Sequence, residues 1–338
     1  MIEKAFIKSL AYYLPEETLG NDELQASFNS QIKKEDFDRL GISHRTIAGK
    51  GITASEMAFQ AALRLFSENK IDKSQIDALV YCSLHADYIT PPTSCILHQK
   101  LGLRENAATY DLHHGCSGYI YGLSIAKALI EGLKMKTVLF LTGSTLTKYL
   151  NKKDKASRMV FGDGASATLI SSGDQKSHIG NFIYGTDGND ASKIMIKDGG
   201  EKYPLSESSF IEKKDEYENI YSDANFYMDG VSVFLFTMEK VPPLIEETLG
   251  KNNLQQNEID LYILHQANNF VNEQIRKKMG IAPEKFFYYV ENCGNTVQST
   301  IPIALHEAIR TGKAKKGDKI LLAGFGVGLS WAATVVTL

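Results

Sequence analysis

Four cysteines occur in this 338-residue chain, at positions 82, 95, 116 and 293, and only Cys116 sits where a thiol could do chemistry. The run Tyr110-Asp-Leu-His-His-Gly-Cys116-Ser-Gly-Tyr-Ile-Tyr-Gly-Leu-Ser-Ile-Ala-Lys-Ala-Leu-Ile reads as the end of a strand, a tight turn and a helix from about Cys116 to Leu133 with almost no charge. A helix that is apolar on nearly every face belongs in the middle of the protein. The free N–H groups and partial positive charge at its N-terminus favour thiolate over thiol, and thiolate is the nucleophilic form. A small buried core cysteine is the plainer alternative, and the segment alone leaves both open. His113 and His114 beside Cys116 match none of the common zinc spacings, so no metal site is expected. Cys82 on a strand and Cys95 on a helix both read as core, and Cys293 as a turn residue.

Two further polar residues stand at similar junctions. Ile259-Asp-Leu-Tyr-Ile-Leu-His265-Gln-Ala-Asn is a strand running into a helix, which places His265 at the carboxyl end of a buried strand. Open α/β sheets gather their chemistry there, although a single histidine is more often a satisfied core residue. Val290-Glu-Asn-Cys-Gly-Asn295-Thr-Val is a third strand–turn–helix junction, at which an asparagine is ordinarily turn chemistry.

The elements that must hold these groups alternate β-rich and helical runs, the pattern of α/β layers. Lys4 to Tyr13, Ile76 to Ser83, Ala108 to Leu112 and Thr137 to Leu141 read as strands. Asn21 to Leu24 reads as a capped helix start, Thr53 with Glu56 as a capping box, and Ser94 to Leu101 as a helix beyond the Thr90-Pro91-Pro92 break. Lys136-Thr-Val-Leu-Phe-Leu-Thr-Gly is echoed by Lys319-Ile-Leu-Leu-Ala-Gly, and Ala165-Ser-Ala-Thr-Leu-Ile by Trp331-Ala-Ala-Thr-Val-Val, which suggests two similar halves. A polar stretch from about Ser171 to Asn225 is expected to link them, with halves at 1–172 and 173–338.

Hydrophobic residues at 43% against 23% charged exclude a disordered chain, and a net charge of −3 gives no basic field for nucleic acid or an anionic membrane. No run of about 18 apolar residues predicts a membrane span, and the N-terminus lacks the apolar core of a signal peptide. Scattered cysteines without a C-x-x-C pair fit a reducing compartment, so a cytoplasmic location is expected.

Taken together and in order, Asp111-Leu-His-His-Gly-Cys116-Ser-Gly, His265-Gln-Ala-Asn and Gly294-Asn295-Thr resemble the Cys–His–Asn set of the ketoacyl-ACP synthase III family. Phe161-Gly-Asp-Gly-Ala, Met228-Asp-Gly-Val-Ser-Val-Phe and Gly324-Phe-Gly-Val-Gly-Leu-Ser-Trp331 are further landmarks, and the resemblance runs from Tyr13-Leu-Pro-Glu to the last strand. It implies a thiolase-like five-layered αβαβα fold with two duplicated halves and a homodimer, without a cofactor. It also implies a decarboxylative Claisen condensation in fatty-acid or specialised-metabolite biosynthesis, with coenzyme A or acyl-carrier-protein thioesters as substrates. Cys116 would carry the acyl group, and the N–H groups of Cys116 and Val327 would hold its tetrahedral oxyanion. His265 and Asn295 would hydrogen-bond the carbonyl of a malonyl-type extender, probed as an enolate after loss of CO₂. Arg276, Lys277 and Lys278 would offer a carrier protein a cationic face, against the plainer reading of a solvated helix. Tyr88 and Ile89 would lie at the acyl tunnel and dimer loop.

The pattern departs from the family at three points, the first being Val327, which stands where members usually carry Gly, a change that a backbone donor tolerates. Glu35 stands where housekeeping members carry a coenzyme-A-stacking Trp, and Phe270 where they carry an Arg, which implies a specialised paralogue with another acyl donor. Competing readings are a same-fold acyltransferase to an O, N or S acceptor, with His265 as general base, and a non-catalytic partner subunit, which would be expected to lose one of the three residues. A papain-like hydrolase lacks its Cys-Gly-Ser-Cys surroundings here.

Overall fold

The computed structural model describes residues 3–28, 31–173 and 176–338. The first half contributes β1 (Lys4–Tyr13), α1 (Ala54–Asn69), β2 (Ala78–Cys82), α2 (Thr93–Leu101), β3 (Ala108–Leu112), α3 (Gly118–Glu131), β4 (Thr137–Ser144) and β5 (Gly164–Gly173). The second contributes β6 (His178–Thr186), α4 (Gly230–Lys251), β7 (Leu261–Leu264), α5 (Asn269–Lys278), α6 (Thr300–Arg310), β8 (Lys319–Gly326) and β9 (Ser330–Thr337).

Strand periodicity builds the layers. Successive side chains of a strand point to opposite faces. In β4, Val138 and Phe140 join a cluster with Tyr119, Ile120 and Leu123 of α3, whereas Leu139 and Leu141 join one with Met57, Ala61 and Leu65 of α1. In β8, Ile320 and Leu322 share the first of these clusters with Ala304 and Leu305 of α6. Leu321 and Ala323 pack instead with Val241, Leu244 and Ile245 of α4. Both sheets are therefore buried on both faces, which is why their strands read as near-continuous apolar runs. The order of layers is α1/α2, first sheet, α3/α6, second sheet, α4/α5, and the uncharged helix α3 lies in the middle one as its composition requires.

The first sheet runs β1-β5-β4-β2-β3 and the second β7-β8-β9-β6. In each, an antiparallel pair (β4 with β5, β8 with β9) is flanked on one side by a parallel strand (β2, β7) and on the other by an antiparallel edge (β1, β6). The echoed segments occupy equivalent seats. Where β3 pairs with β2, the second sheet has only a parallel bridge from Tyr262 to Phe286, so the junction before Asn295 lacks the strand expected there.

Several local expectations are corrected. Helix α3 begins at Gly118, two residues after Cys116, because Gly115–Ser117 form a turn closed by the Gly118 N–H on the Gly115 carbonyl at 2.7 Å. The stretch 171–225 is not a plain linker: the end of β5 and all of β6 lie in it, followed by short pairings at 194–196 with 226–228 and 213–214 with 220–221. Asn21 does not cap its helix, since Gly20 holds that position with no side-chain bond and the Asn21 side chain accepts from Arg45. Thr53 caps α1 by accepting from the Glu56 N–H at 3.1 Å, but the Glu56 carboxylate turns to Lys100 and Gln60 and the box stays half-made. Cys95 is exposed on the outer side of α2 rather than in the core, while Cys82 and Cys293 are buried.

Candidate active site

Cys116 lies in the turn ahead of α3, facing the loop between β8 and β9. That approach requires glycine at 326: a Cβ there would fall 2.8 Å from both the Cβ and Sγ of Cys116, and the residue has φ +151°. The N–H groups of Val327 and of Cys116 itself lie on the sulfur and favour its charged form, but burial outweighs them and pushes the thiol up to about 11. The expectation of a thiol displaced towards thiolate is therefore corrected. The sulfur is packed on all sides but one, the side that opens on a cavity.

His265 follows β7, its N–H bonded to the Ala323 carbonyl of β8 at 2.7 Å. The ring is buried, edge-on to Phe325 at 5.6 Å, with Nδ1 2.7 Å from Thr300 Oγ1. Burial lowers its pKa to about 3, so the imidazole is neutral at any working pH. Thr300 has one hydroxyl proton, which reaches the Val297 carbonyl at 3.0 Å; in that state Nδ1 donates to Thr300 and Nε2 is an acceptor. Turned towards Nδ1, the same hydroxyl leaves the ring proton on Nε2.

Asn295 holds its amide by backbone contacts. Its Oδ1 accepts from the Val297 N–H at 2.9 Å, so the NH₂ must turn the other way. Nδ2 lies 3.4 Å from His265 Nε2 and 3.4 Å from the Ala267 carbonyl. The Asn295 N–H is itself bonded to the Val160 carbonyl of the first half at 2.9 Å, which locks the turn against the opposite half.

Cys116, His265 and Asn295 line one cavity of about 150 Å³ with Leu146, Phe161, Ile194, Phe226, Met228 and Phe234. Its walls are almost wholly apolar. A thiol, a neutral imidazole and a carboxamide in an apolar, water-poor chamber suit acyl transfer and the stabilisation of oxygen-centred negative charge.

The remaining sequence candidates lie elsewhere. Arg276 gives Nε and Nη2 to the Glu273 carboxylate at 2.7 Å each and Nη1 to the Ile281 carbonyl at 2.5 Å, leaving its side chain 13% exposed. Lys278 reaches the Met238 carbonyl at 2.8 Å, and Lys277 is the freest of the three, 61% exposed with Glu273 at 3.5 Å. Tyr88 and Ile89 project from an exposed loop, 62% and 107% exposed, and do not line the cavity. Phe270 stacks on Phe234 at 5.5 Å and carries the Arg39 guanidinium over its ring at 3.8 Å, at the edge of the cavity. Glu35 stands in the first turn of the short helix Lys34–Leu40 that bears Arg39. Sequence reasoning missed Thr300 and the apolar wall; the signals for the wall were the three landmarks, of which Phe161, Met228, Val233, Phe234 and Phe325 line the cavity.

Five layers, duplicated topology and a cysteine opposite a polar pair define a thiolase-like fold. Residues 110–188 match the model of 3-oxoacyl-[acyl-carrier-protein] synthase III, and residues 249–338 that of its C-terminal region. Over 98% of its length the chain is 32% identical to a beta-ketoacyl-[acyl-carrier-protein] synthase III of Fusobacterium nucleatum, covering 97% of that protein. A crystal structure of a 3-oxoacyl-(acyl-carrier-protein) synthase III superposes with a TM-score of 0.96 at 38% identity, covering 99% of this chain and all of the other. The Aquifex aeolicus synthase III structure gives 0.86 at 28% identity, over 99% of this chain and all of the other. The chain belongs to the 3-oxoacyl-[acyl-carrier-protein] synthase III family.

Proposed function

We propose that Cys116, His265 and Asn295 perform the two half-reactions of a β-ketoacyl-[acyl-carrier-protein] synthase III. The enzyme condenses an acyl group with a malonyl-type thioester, with loss of CO₂. The observation that carries the assignment is the shared apolar cavity, to which one half of the molecule brings the thiol and the other the imidazole and carboxamide.

In the first half-reaction the Cys116 sulfur attacks the thioester carbonyl and its proton leaves with the departing thiolate. The N–H groups of Cys116 and Val327 hold the tetrahedral oxyanion. A thiol raised by burial reacts from its small thiolate fraction, which is the more nucleophilic for its high pKa. In the second, the malonyl carboxylate leaves as CO₂, and its bonding electrons form an enolate whose oxygen is held by the Asn295 NH₂ and the His265 Nε2 proton. Turning the Thr300 hydroxyl onto Nδ1 supplies that tautomer. The enolate carbon attacks the Cys116 thioester and expels the thiolate. A neutral ring serves here as a hydrogen-bond donor rather than as an acid.

Specialisation of this member is part of the proposal. The face of Phe270 that a coenzyme A base could stack on is covered by Arg39, and Glu35 offers no ring, which supports an acyl-carrier-protein thioester as the acyl donor. Lys277 is the cation best exposed to such a carrier. The halves 1–172 and 173–338, a homodimer formed through the Tyr88–Ile89 loop and a cytoplasmic site of action complete the reading. The repeated sheet order supports the halves, the exposure of the loop the dimer, and no described helix is long and apolar enough to cross a membrane.

Intact-mass spectrometry after incubation with acyl-carrier-protein and coenzyme A thioesters tests the assignment. A mass increase absent from Cys116→Ala, followed by CO₂ release from a malonyl thioester, is expected. Acyl transfer without CO₂ release would identify a same-fold transferase instead, and rapid labelling by acetyl-coenzyme A alone would refute the carrier-protein donor.

A further inference from the structure

The loop that carries Val327 comes up against the Cys116 sulfur at Gly326, where a Cβ would fall 2.8 Å from Sγ, yet it is anchored by residues that the mechanism above does not use. Gly326 and Gly328 have φ of +151° and +141°, so the peptides on either side of Val327 have little intrinsic preference for one orientation. A hydrogen-bond donor for an oxyanion must nevertheless be aimed before the reaction.

A chain of single-proton groups leads to this loop from the other half. Ser330 Oγ lies 2.8 Å from the Val327 carbonyl, Ser117 Oγ 2.8 Å from Ser330 Oγ, and His114 Nδ1 3.1 Å from Ser117 Oγ. Its direction follows by elimination. A carbonyl only accepts, so the Ser330 proton goes to Val327. Ser330 must then accept from Ser117, and Ser117, its one proton spent, accepts from His114 Nδ1–H. Both hydroxyls are buried, where an unmade bond is costly. The histidine is held in place by Tyr121, stacked on it at 4.2 Å.

The Val327 carbonyl belongs to the peptide plane after its N–H, and the side chain couples the two. Val327 Cγ1 occupies the niche that a Cβ on Gly115 would fill, 2.2 Å from that position, beside Leu84. A β-branched residue wedged there has little rotational freedom.

We propose that Ser330 and Ser117, fed by His114, are positioning residues that aim the Val327 N–H at the oxyanion formed on the Cys116 acyl centre. The proposal rests on Cys116 being acylated and adds residues outside the Cys–His–Asn set.

The test compares two reactions of the same sulfur in the full-length protein. Acylation by a thioester passes through a tetrahedral oxyanion, whereas alkylation by iodoacetamide does not. Removing an oxyanion donor outright costs about 10²–10³ in rate, so a donor merely released should cost about tenfold. Ser330→Ala is expected to acylate about tenfold more slowly in rapid-quench measurements, with alkylation, which loses only the favourable effect of the Val327 N–H on the thiolate, falling clearly less and Ser330→Thr restoring acylation. Ser117→Ala, which leaves the Ser330–Val327 bond, should show a smaller loss of the same kind and carries the test should Ser330→Ala not fold. Wild-type acylation rates in the folded alanine variants would overturn the proposal, as would equal falls in acylation and alkylation. Failure of the wild-type protein itself to acylate would overturn the functional reading and this proposal with it.

Discussion

The two halves of the molecule are built alike and equipped differently. Asp77, just before β2, accepts from the N–H groups of Lys136 and Thr137 at 2.6 and 3.0 Å at the start of β4; Asp260, just before β7, accepts from Lys319 at 2.8 Å at the start of β8. The same carboxylate clamp thus joins the same pair of parallel strands in each half. Cys116 and Asn295 sit in corresponding loops ahead of the two central helices, one bearing a thiol and the other a carboxamide. The loop after β7 carries His265, whereas the corresponding residue after β2 is Ser83, whose hydroxyl donates to the Gly143 carbonyl at 2.9 Å and does only structural work. Duplication supplies two loop sets facing one chamber. In the function proposed above, one set accepts an acyl group and the other holds an enolate.

This division is breakable by mutation. Cys116→Ala in the first half should abolish covalent acylation and reduce condensation to background, measured by intact mass and product formation. Asn295→Ala or His265→Ala in the second half should lower condensation by about 10²–10³ while Cys116 still acylates. Equal loss of acylation in those variants would show that the halves do not divide the reaction. Because burial raises the Cys116 thiol from its ordinary 9.0 to about 11, the thiolate fraction keeps growing through the alkaline range. Iodoacetamide alkylation should accordingly climb about tenfold per pH unit from pH 7 to 10; a plateau near pH 8 would show that helix α3 and its N–H groups prevail over burial. Thr300→Val, which removes the side-chain partner of His265 Nδ1, should slow decarboxylation about tenfold and acylation hardly at all. Thr300→Ser should behave as wild type, since it keeps the hydroxyl.

Legibility in the sequence followed the range of the interaction responsible. The strands β1, β2, β3 and β4 and the helix α2 were readable to within a few residues because alternation and punctuation by Pro and Gly are local. The boundary at Cys116 was misplaced because a glycine-bounded apolar run does not disclose that Gly115–Ser117 form a turn. Strand β6 was hidden in a polar stretch because an edge strand buries only part of its surface: exposed Asn181 and Tyr184 flank the half-buried Phe182 and Ile183. Arg276 looked available until its helix showed Glu273 one turn earlier, in position to take two of the three guanidinium nitrogens.

From its sequence alone this chain disclosed the layered α/β order, the family pattern into which it falls and the three residues, Cys116, His265 and Asn295, that we propose bear the chemistry. Those features are written in residue type, spacing and local periodicity. Only tertiary structure decided the state of the groups: a neutral imidazole, a thiol raised by burial, and a Val327 loop tied through two serines to a histidine of the other half. Each depends on desolvation or on a contact between segments far apart in the chain, 213 residues for Ser117 and Ser330, and neither quantity exists until the two sheets close on the central helices.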